Sequence, residues 1–292
     1  MVKEQVLETM ESRADAINAL LYEEGADFEV QYTKLWKNNH EVEGYVLRSE
    51  AHNCSPTIYR GSWFEGTDDE VVAYLTEMYE KHATDFDIKE AVSRDFILAN
   101  VLPRLMSASN EAGLRSRQVV VRPYLDMVVS FYVPISEFSD DGIGSMQITE
   151  MLLKNANIGI DEIHEKAISN LEKGIKIQRI DEVIREIIGN DIPLEDEPGI
   201  PMYVVTNSNN IHGAAVILSK KTFEGLHERL GDKVAILPSS IHECIAVAYR
   251  TPDDLDNFIS MVKEINATEV NVSDKLTDNV YLLNGDVLSA LE

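Results

Sequence analysis

Apolar positions recur at helical spacing over residues 3–23, where Val6, Met10, Ala14, Ile17, Leu20 and Leu21 fall near one face and Gly25 follows as a stop. Alternation then replaces that period. Phe28–Leu35 and Val42–Leu47 read as two strands about the turn pair Asn38-Asn39, a hairpin. Pro56 keeps residues 53–59 extended. Thr67 and Glu70 have the spacing of a capping box, and they open a helix whose apolar face is Val71, Val72, Leu75, Met78 and Tyr79. A further helix is predicted from Ile88 to Leu102, stopped before Pro103.

The middle of the chain is rich in β-branched and aromatic residues. Strands are predicted at 118–122, 126–133 and 146–148, with a turn at Pro123-Tyr124 and a loop at Asp140-Asp141-Gly142. Helices follow over 161–173, ending at Gly174, and over 180–188, ending at Gly189-Asn190. Residues 190–201 then bring three prolines and four acids, which exclude regular structure. A domain boundary is placed there, with an N-terminal α+β region at 1–190, an acidic Pro-rich linker at 191–201 and a C-terminal region at 202–292.

The C-terminal region has a weak internal repeat of pattern. Strand 203–205, a turn through Asn207-Ser208-Asn209-Asn210, strand Ala214–Leu218 and helix 221–230 form the first unit. Strand 234–237, a turn through Ser239-Ser240-Ile241-His242, strand 244–249 and helix 253–265 form the second. Two strand-turn-strand-helix units predict a mainly antiparallel sheet with both helices on one face. A small hairpin turning at Asn284-Gly285-Asp286 ends the chain. The fold class expected is α+β, with a strand-rich N-terminal part that also carries helices.

Composition narrows the functional classes. At 292 residues, 44% apolar and 26% charged, the chain can bury a sizeable core, so disorder is excluded as its general state. No run approaches the roughly 18 apolar residues of a membrane helix. The start, Met1-Val2-Lys3-Glu4-Gln5, has no apolar signal core, and the two cysteines, Cys54 and Cys244, read as free thiols of a cytoplasmic protein. The net charge of -25 sets the chain against nucleic acid and anionic membranes. The simplest reading of that charge is a solubilising surface. The sharper one is an acidic mimic that occupies the basic channel of a nucleic-acid-handling protein.

Five segments carry a resemblance. They are Ser55-Pro56-Thr57-Ile58-Tyr59, Met202 through Asn207, Gly213-Ala214-Ala215, Leu237 through Glu243, and Glu264 through Val270. In this order they resemble an uncharacterised bacterial family, the domain-of-unknown-function family numbered 5688. The resemblance implies a protein of Gram-positive anaerobes, often encoded near mobile elements. It brings no catalytic residue. A plain aliphatic is more usual in the family where Cys244 stands, which argues against a catalytic thiol there.

The residue types of a nucleophile, a base and an orienting acid occur together in Ser239, Ser240, His242 and Glu243. Adjacency is not the required geometry, and no G-x-S-x-G elbow surrounds either serine. The plainer role is a hairpin turn whose hydroxyls satisfy backbone groups. Metal-ligand spacing is lacking at His164, His227 and His242, although His212 and His242 could meet from two turns. No phosphate- or dinucleotide-binding motif occurs, so no cofactor is expected. Arg115, Arg117 and Arg122 form the densest basic cluster, suited to a binding role or to pairing with nearby carboxylates. Trp63 and Phe64 read as core-edge residues or as an exposed anchor for a partner. The function expected is protein interaction or regulation and not catalysis, with a mobile-element or phage factor that binds a basic nucleic-acid-handling protein, such as a host defence nuclease, as its specific form. The alternative is a hydrolase using Ser239 or Ser240 with His242.

Overall fold

A computed structural model describes residues 9–85, 87–135, 144–188 and 200–291. Contacts between Cα atoms divide the chain into two units, Met1–Ile88 and Lys89–Glu292. The expected linker falls outside the described residues except for Ile200 and Pro201, as do the loop at Asp140-Asp141-Gly142, the helix end at Gly189-Asn190 and residues 1–8.

In the first unit, α1 (Met10–Glu24) starts at Thr9, whose hydroxyl accepts from the Ser12 amide, and ends at Gly25 in the left-handed region at φ 74°. Strands β1 (Phe28–Lys37) and β2 (His40–Ser49) form the expected hairpin. Lys37 stands opposite His40, which leaves Asn38-Asn39 as a two-residue turn with Asn39 at φ 66°. Strand β3 (Thr57–Tyr59) adds to the far side of β2. Helix α2 (Asp68–His82) opens on the Thr67–Glu70 capping box. Met10, Ile17 and Leu21 of α1, Val71 and Leu75 of α2, and Phe28, Tyr45 and Leu47 of the hairpin share one core. Arg13 is buried beside it, and its guanidinium donates to the Phe64 and Gly66 carbonyls at 2.6 and 2.7 Å and to Asp68 at 2.6 Å.

The helix expected over 88–102 is two short ones, α3 (Ile88–Ala91) and α4 (Arg94–Asn100), because the Ser93 hydroxyl caps a new start by accepting from the Phe96 amide. Pro103 does not end a helix there. It lies in β4 (Leu102–Ser107), an edge strand, where a missing amide is tolerated. After α5 (Glu111–Ser116), β5 (Val121–Tyr124), β6 (Met127–Pro134) and β7 (Ser145–Gln147) complete an antiparallel sheet centred on β6. The β5–β6 turn is Leu125-Asp126, with Leu125 at φ 56°, and not Pro123-Tyr124, since Pro123 pairs with Val128. Helices α6 (Glu150–Ala156) and α7 (Ile160–Leu171), strand β8 (Ile175–Arg179) and helix α8 (Ile180–Ile188) follow.

The C-terminal sheet is larger than expected. Strands β9 (Met202–Asn207), β10 (Val234–Leu237), β11 (Cys244–Ala248), β12 (Tyr281–Asn284) and β13 (Val287–Ala290) join β8 in the antiparallel order β13-β12-β10-β11-β9-β8. Strands on both sides of 191–199 thus pair in one sheet. The α+β class holds, but two details differ. Gly213–Leu218 is a 3₁₀ helix, not a strand, and Gly213 through Ile217 are buried. An apolar run of that length has no polar positions to reveal its period. Helices α9 (Lys220–Leu230) and α10 (Pro252–Thr268) lie on opposite faces of the sheet, not on one. Val234 and Ile236 pack in one cluster with Phe223 and Leu226 of α9, whereas Ala235 and Leu237 pack with Leu255 and Val262 of α10. Successive strand residues point to opposite faces, so β10 is buried on both sides. Burial of Val234, Ile236 and Leu237 contributes about 1.5–3 kcal/mol each.

Asp126 fastens the β5–β6 turn to the strand β12. Its carboxylate accepts from the Tyr281 hydroxyl, from Thr277 Oγ1 at 2.8 Å and from Asn279 Nδ2 at 2.9 Å. Burial alone would push this carboxyl up, but the three hydrogen bonds outweigh it and hold it below its ordinary value. A depressed carboxyl stabilises the fold above the unfolded pKa of about 3.9 and loses that contribution as pH falls through the folded value. Asp126→Asn is therefore expected to melt lower than wild type at pH 7, with the gap narrowing between about pH 4 and pH 2. Thermal melts across that range check this, and a gap independent of pH would contradict it.

Candidate functional site

The loop at 238–243 is held by backbone on both sides. The Ile241 amide donates to the Asp274 carbonyl at 2.7 Å and the Leu276 amide to the Ser239 carbonyl at 2.9 Å, so residues 239–241 run beside 274–276. The 207–213 loop meets it from the end of β9. Thr206 Oγ1 donates to the His242 carbonyl at 2.8 Å, and the Ala214 amide to the Ile241 carbonyl at 3.2 Å. Gly213 makes that approach possible. A Cβ there would stand 2.0 Å from Thr206 Oγ1 and 2.4 Å from the His242 carbonyl oxygen. Asn207 closes its own loop, donating to the Ile211 carbonyl at 2.8 Å and accepting from the Asn209 amide at 3.1 Å.

These loops bring His212 and His242 together, with ring centroids 5.8 Å apart and planes nearly parallel at 11°. Tyr132 of β6 meets the His212 ring edge-on at 5.4 Å. The His212 amide donates to His242 Nδ1 at 3.3 Å, and His242 Nε2 lies 3.6 Å from an Asp274 carboxylate oxygen. A ring nitrogen that accepts an amide proton carries none of its own, so the neutral ring holds its proton on Nε2, toward Asp274. Burial pushes the Tyr132 phenol up to about 12, with the Arg104 guanidinium opposing. Burial also raises the Glu243 carboxyl, opposed by His242 and by the Ser240 hydroxyl, while Asp274 adds to the rise. Cys244 is fully buried in the core and its thiol is pushed up by that burial, an inert environment for a nucleophile.

Among the described residues no hydrogen bond joins Ser239 or Ser240 to the His242 ring. Ser240 is buried, and its hydroxyl accepts the backbone amide of His242 at 3.0 Å. His242 Nδ1 accepts the His212 amide, Nε2 lies 3.6 Å from Asp274 without a hydrogen bond, and among the described residues no serine hydroxyl bonds to that ring. A general base needs a free acceptor nitrogen within reach of the hydroxyl. Nor do two stacked imidazoles converge on one ion, because their lone pairs lie in parallel ring planes. Among the described residues no three His, Cys, Asp or Glu side chains gather as a metal site.

The other candidates lie elsewhere. Phe64 is buried in the first unit, at 3% exposure, under the guanidinium groups of Arg13 and Arg60 at 5.0 and 4.6 Å. Trp63 is half-buried, stacks on Tyr74 at 5.3 Å and donates to the Tyr59 carbonyl at 3.0 Å. Arg115 pairs with Glu111 at 2.7 Å, Arg122 with Asp161 at 2.8 Å, and Arg117 donates to the Gly113 carbonyl at 3.1 Å. Asp274 and Tyr132 had no signal in the sequence, since neither sits in a motif and each reaches the histidines only through the fold.

A serine-reactive phosphonate is expected to leave Ser239 and Ser240 unmodified under conditions that label a known serine hydrolase. Intact-mass measurement checks this. Stoichiometric labelling that disappears in His242→Ala would overturn it.

Comparisons with curated proteins and with solved structures return no match. The sequence model of a family of unknown function, DUF5688, matches residues 2–284. Nearly the whole chain is covered, and the protein belongs to that family.

Proposed function

We propose that this protein works by binding a basic protein partner and not by catalysis. The observation that carries the reading is where its charge lies. Residues 1–88 hold 19 Asp and Glu against 7 Lys and Arg, nearly half of the net charge of -25 on less than a third of the chain. Glu11, Asp15, Glu23 and Glu24 on α1 are exposed, as are Asp69, Glu70, Glu77 and Glu80 on α2.

The cations of the same unit do little to offset them. Arg13 is buried, Lys34 pairs with Glu43 at 3.2 Å, and Arg60 pairs with Glu65 at 3.4 Å. Uncompensated surface acid of this density accelerates association with a basic surface and discriminates against acidic ones. Proteins that handle nucleic acid carry such basic surfaces, and they are the partner class favoured here. A phage or mobile-element setting, with a host defence protein as target, is the specific form of the proposal.

Charge-driven binding weakens as salt shortens the Debye length from about 10 Å at 0.1 M to about 3 Å at 1 M. Titration of the full chain with an arginine-rich peptide should show affinity falling at least about tenfold between 0.05 and 0.5 M NaCl. Affinity unchanged up to about 1 M salt would contradict the proposal.

A further inference from the structure

One hydrogen bond between the 207–213 and 238–243 loops depends on the absence of a proton. The His212 amide donates to His242 Nδ1 at 3.3 Å, so this bond exists only while that nitrogen is unprotonated. Histidine is the side chain that ordinarily changes charge between about pH 5 and pH 8. The His242 side chain is 30% exposed, which lets solvent protons reach it. Protonation turns Nδ1 into a donor, and two N–H groups aimed at each other across that distance repel. The His212 ring, stacked at 5.8 Å and 11°, cannot accept the new proton, because its lone pairs lie in a parallel plane.

Carboxylates face the ring that would carry the charge. Asp274, in the segment beside 239–241, holds an oxygen 3.6 Å from Nε2, and the Ser273 hydroxyl donates to that same oxygen at 3.1 Å. Glu243 follows in the chain, and its carboxyl, raised by burial, is drawn down again by His242. The other charged groups nearby are engaged or neutral. Lys275 pairs with Asp278 at 3.0 Å, and beyond His212 the Tyr132 phenol stays neutral through burial, beside the Arg104 guanidinium. The 207–213 loop is itself held against a backbone preference. Asn210 and His212 both lie in the left-handed region, at φ 53° and 54°, which residues other than glycine keep only where surrounding contacts impose it. The bonds from Thr206 Oγ1 to the His242 carbonyl and from the Ala214 amide to the Ile241 carbonyl contain no titrating group.

From these observations we infer that the bond from the His212 amide to His242 Nδ1 is an acid-released latch on the 207–213 loop. In the neutral state the latch is closed, and the loop tip at 208–212 is held against the 238–243 loop. On protonation the imidazolium turns from the amide toward the carboxylates of Asp274 and Glu243. Residues 208–212 are then released, while Thr206 and Ala214 keep the base of the loop in place. The latch lies within the second unit and does not rest on the acidic surface of the first.

Nuclear magnetic resonance of the labelled full chain, followed from about pH 8 to about pH 5, tests this through amide exchange and the ring nitrogen shifts of His242. Protection of the His212 amide, corrected for the intrinsic pH dependence of exchange, should fall at least about threefold as the ring gains its proton, with Ala214 and Ile241 unchanged. His242→Asn places a carbonyl oxygen near the position of Nδ1 and does not titrate, so its His212 amide should stay protected throughout. Glu243→Gln and Asp274→Asn each remove a charge that attracts the imidazolium, and the release should move to lower pH in both. Melting temperature at neutral pH confirms that each variant is folded. The inference is overturned if the His242 ring stays neutral across the whole range, or if it titrates with the His212 amide unaffected. Release in His242→Asn equal to that of wild type would also overturn it, and release lost only in Glu243→Gln would assign the switch to that carboxyl instead. Should His242→Asn fail to fold, the carboxylate variants decide, since release at the wild-type pH in both would remove the latch.

Discussion

The second unit depends on a strand with no solvent face. All four residues of β10 are buried, Val234 and Ile236 under α9 and Ala235 and Leu237 under α10. Antiparallel sheets commonly leave one face wet. Here neither face of β10 can carry polar side chains, so the polar groups of this region are pushed to the ends of its strands. There the loops at 207–213 and 238–243 are locked to each other through Gly213, Thr206 and the His242 carbonyl. The histidine pair follows from that lock. Its rings stack on each other, Tyr132 meets the His212 ring edge-on, and of the His242 nitrogens Nδ1 accepts a backbone amide and Nε2 faces Asp274. The most site-like stretch of the sequence is thereby a joint between loops.

The first unit is arranged differently. Its core is small, its helices leave carboxylates in water on their outer faces, and its one buried arginine, Arg13, is consumed in tying α1 to the turn before α2. Nearly half of the chain's net acid is concentrated in these 88 residues. On the binding function proposed above, the exposed carboxylates would draw in a basic surface.

Much of the fold was legible because local chemistry agrees with it. Asn38-Asn39 marked the hairpin turn, Thr67 with Glu70 the start of α2, and Gly25 the end of α1. Illegible elements were those in which tertiary contacts override a local rule. Pro103 reads as a helix stop but lies in an edge strand, Ser93 divides a helical pattern, and β8 is five residues whose partner β9 lies beyond the acidic, proline-rich sequence at 191–199. The run 214–218 reads as a strand because every position is apolar. The candidate chemistry was partly legible. His212 and His242 could be brought together on paper by matching two turns, but Asp274 and Tyr132 could not.

The central claim is that recognition resides in the first unit and requires a basic partner. Amide chemical-shift mapping of the labelled full chain during titration with an arginine-rich peptide tests it most directly. The account predicts perturbations along the acidic faces of α1 and α2, over residues 11–24 and 69–80, with the 207–213 and 238–243 loops unmoved. Perturbations concentrated on the His212 and His242 loops, or none anywhere in the spectrum at a saturating peptide concentration, would contradict it.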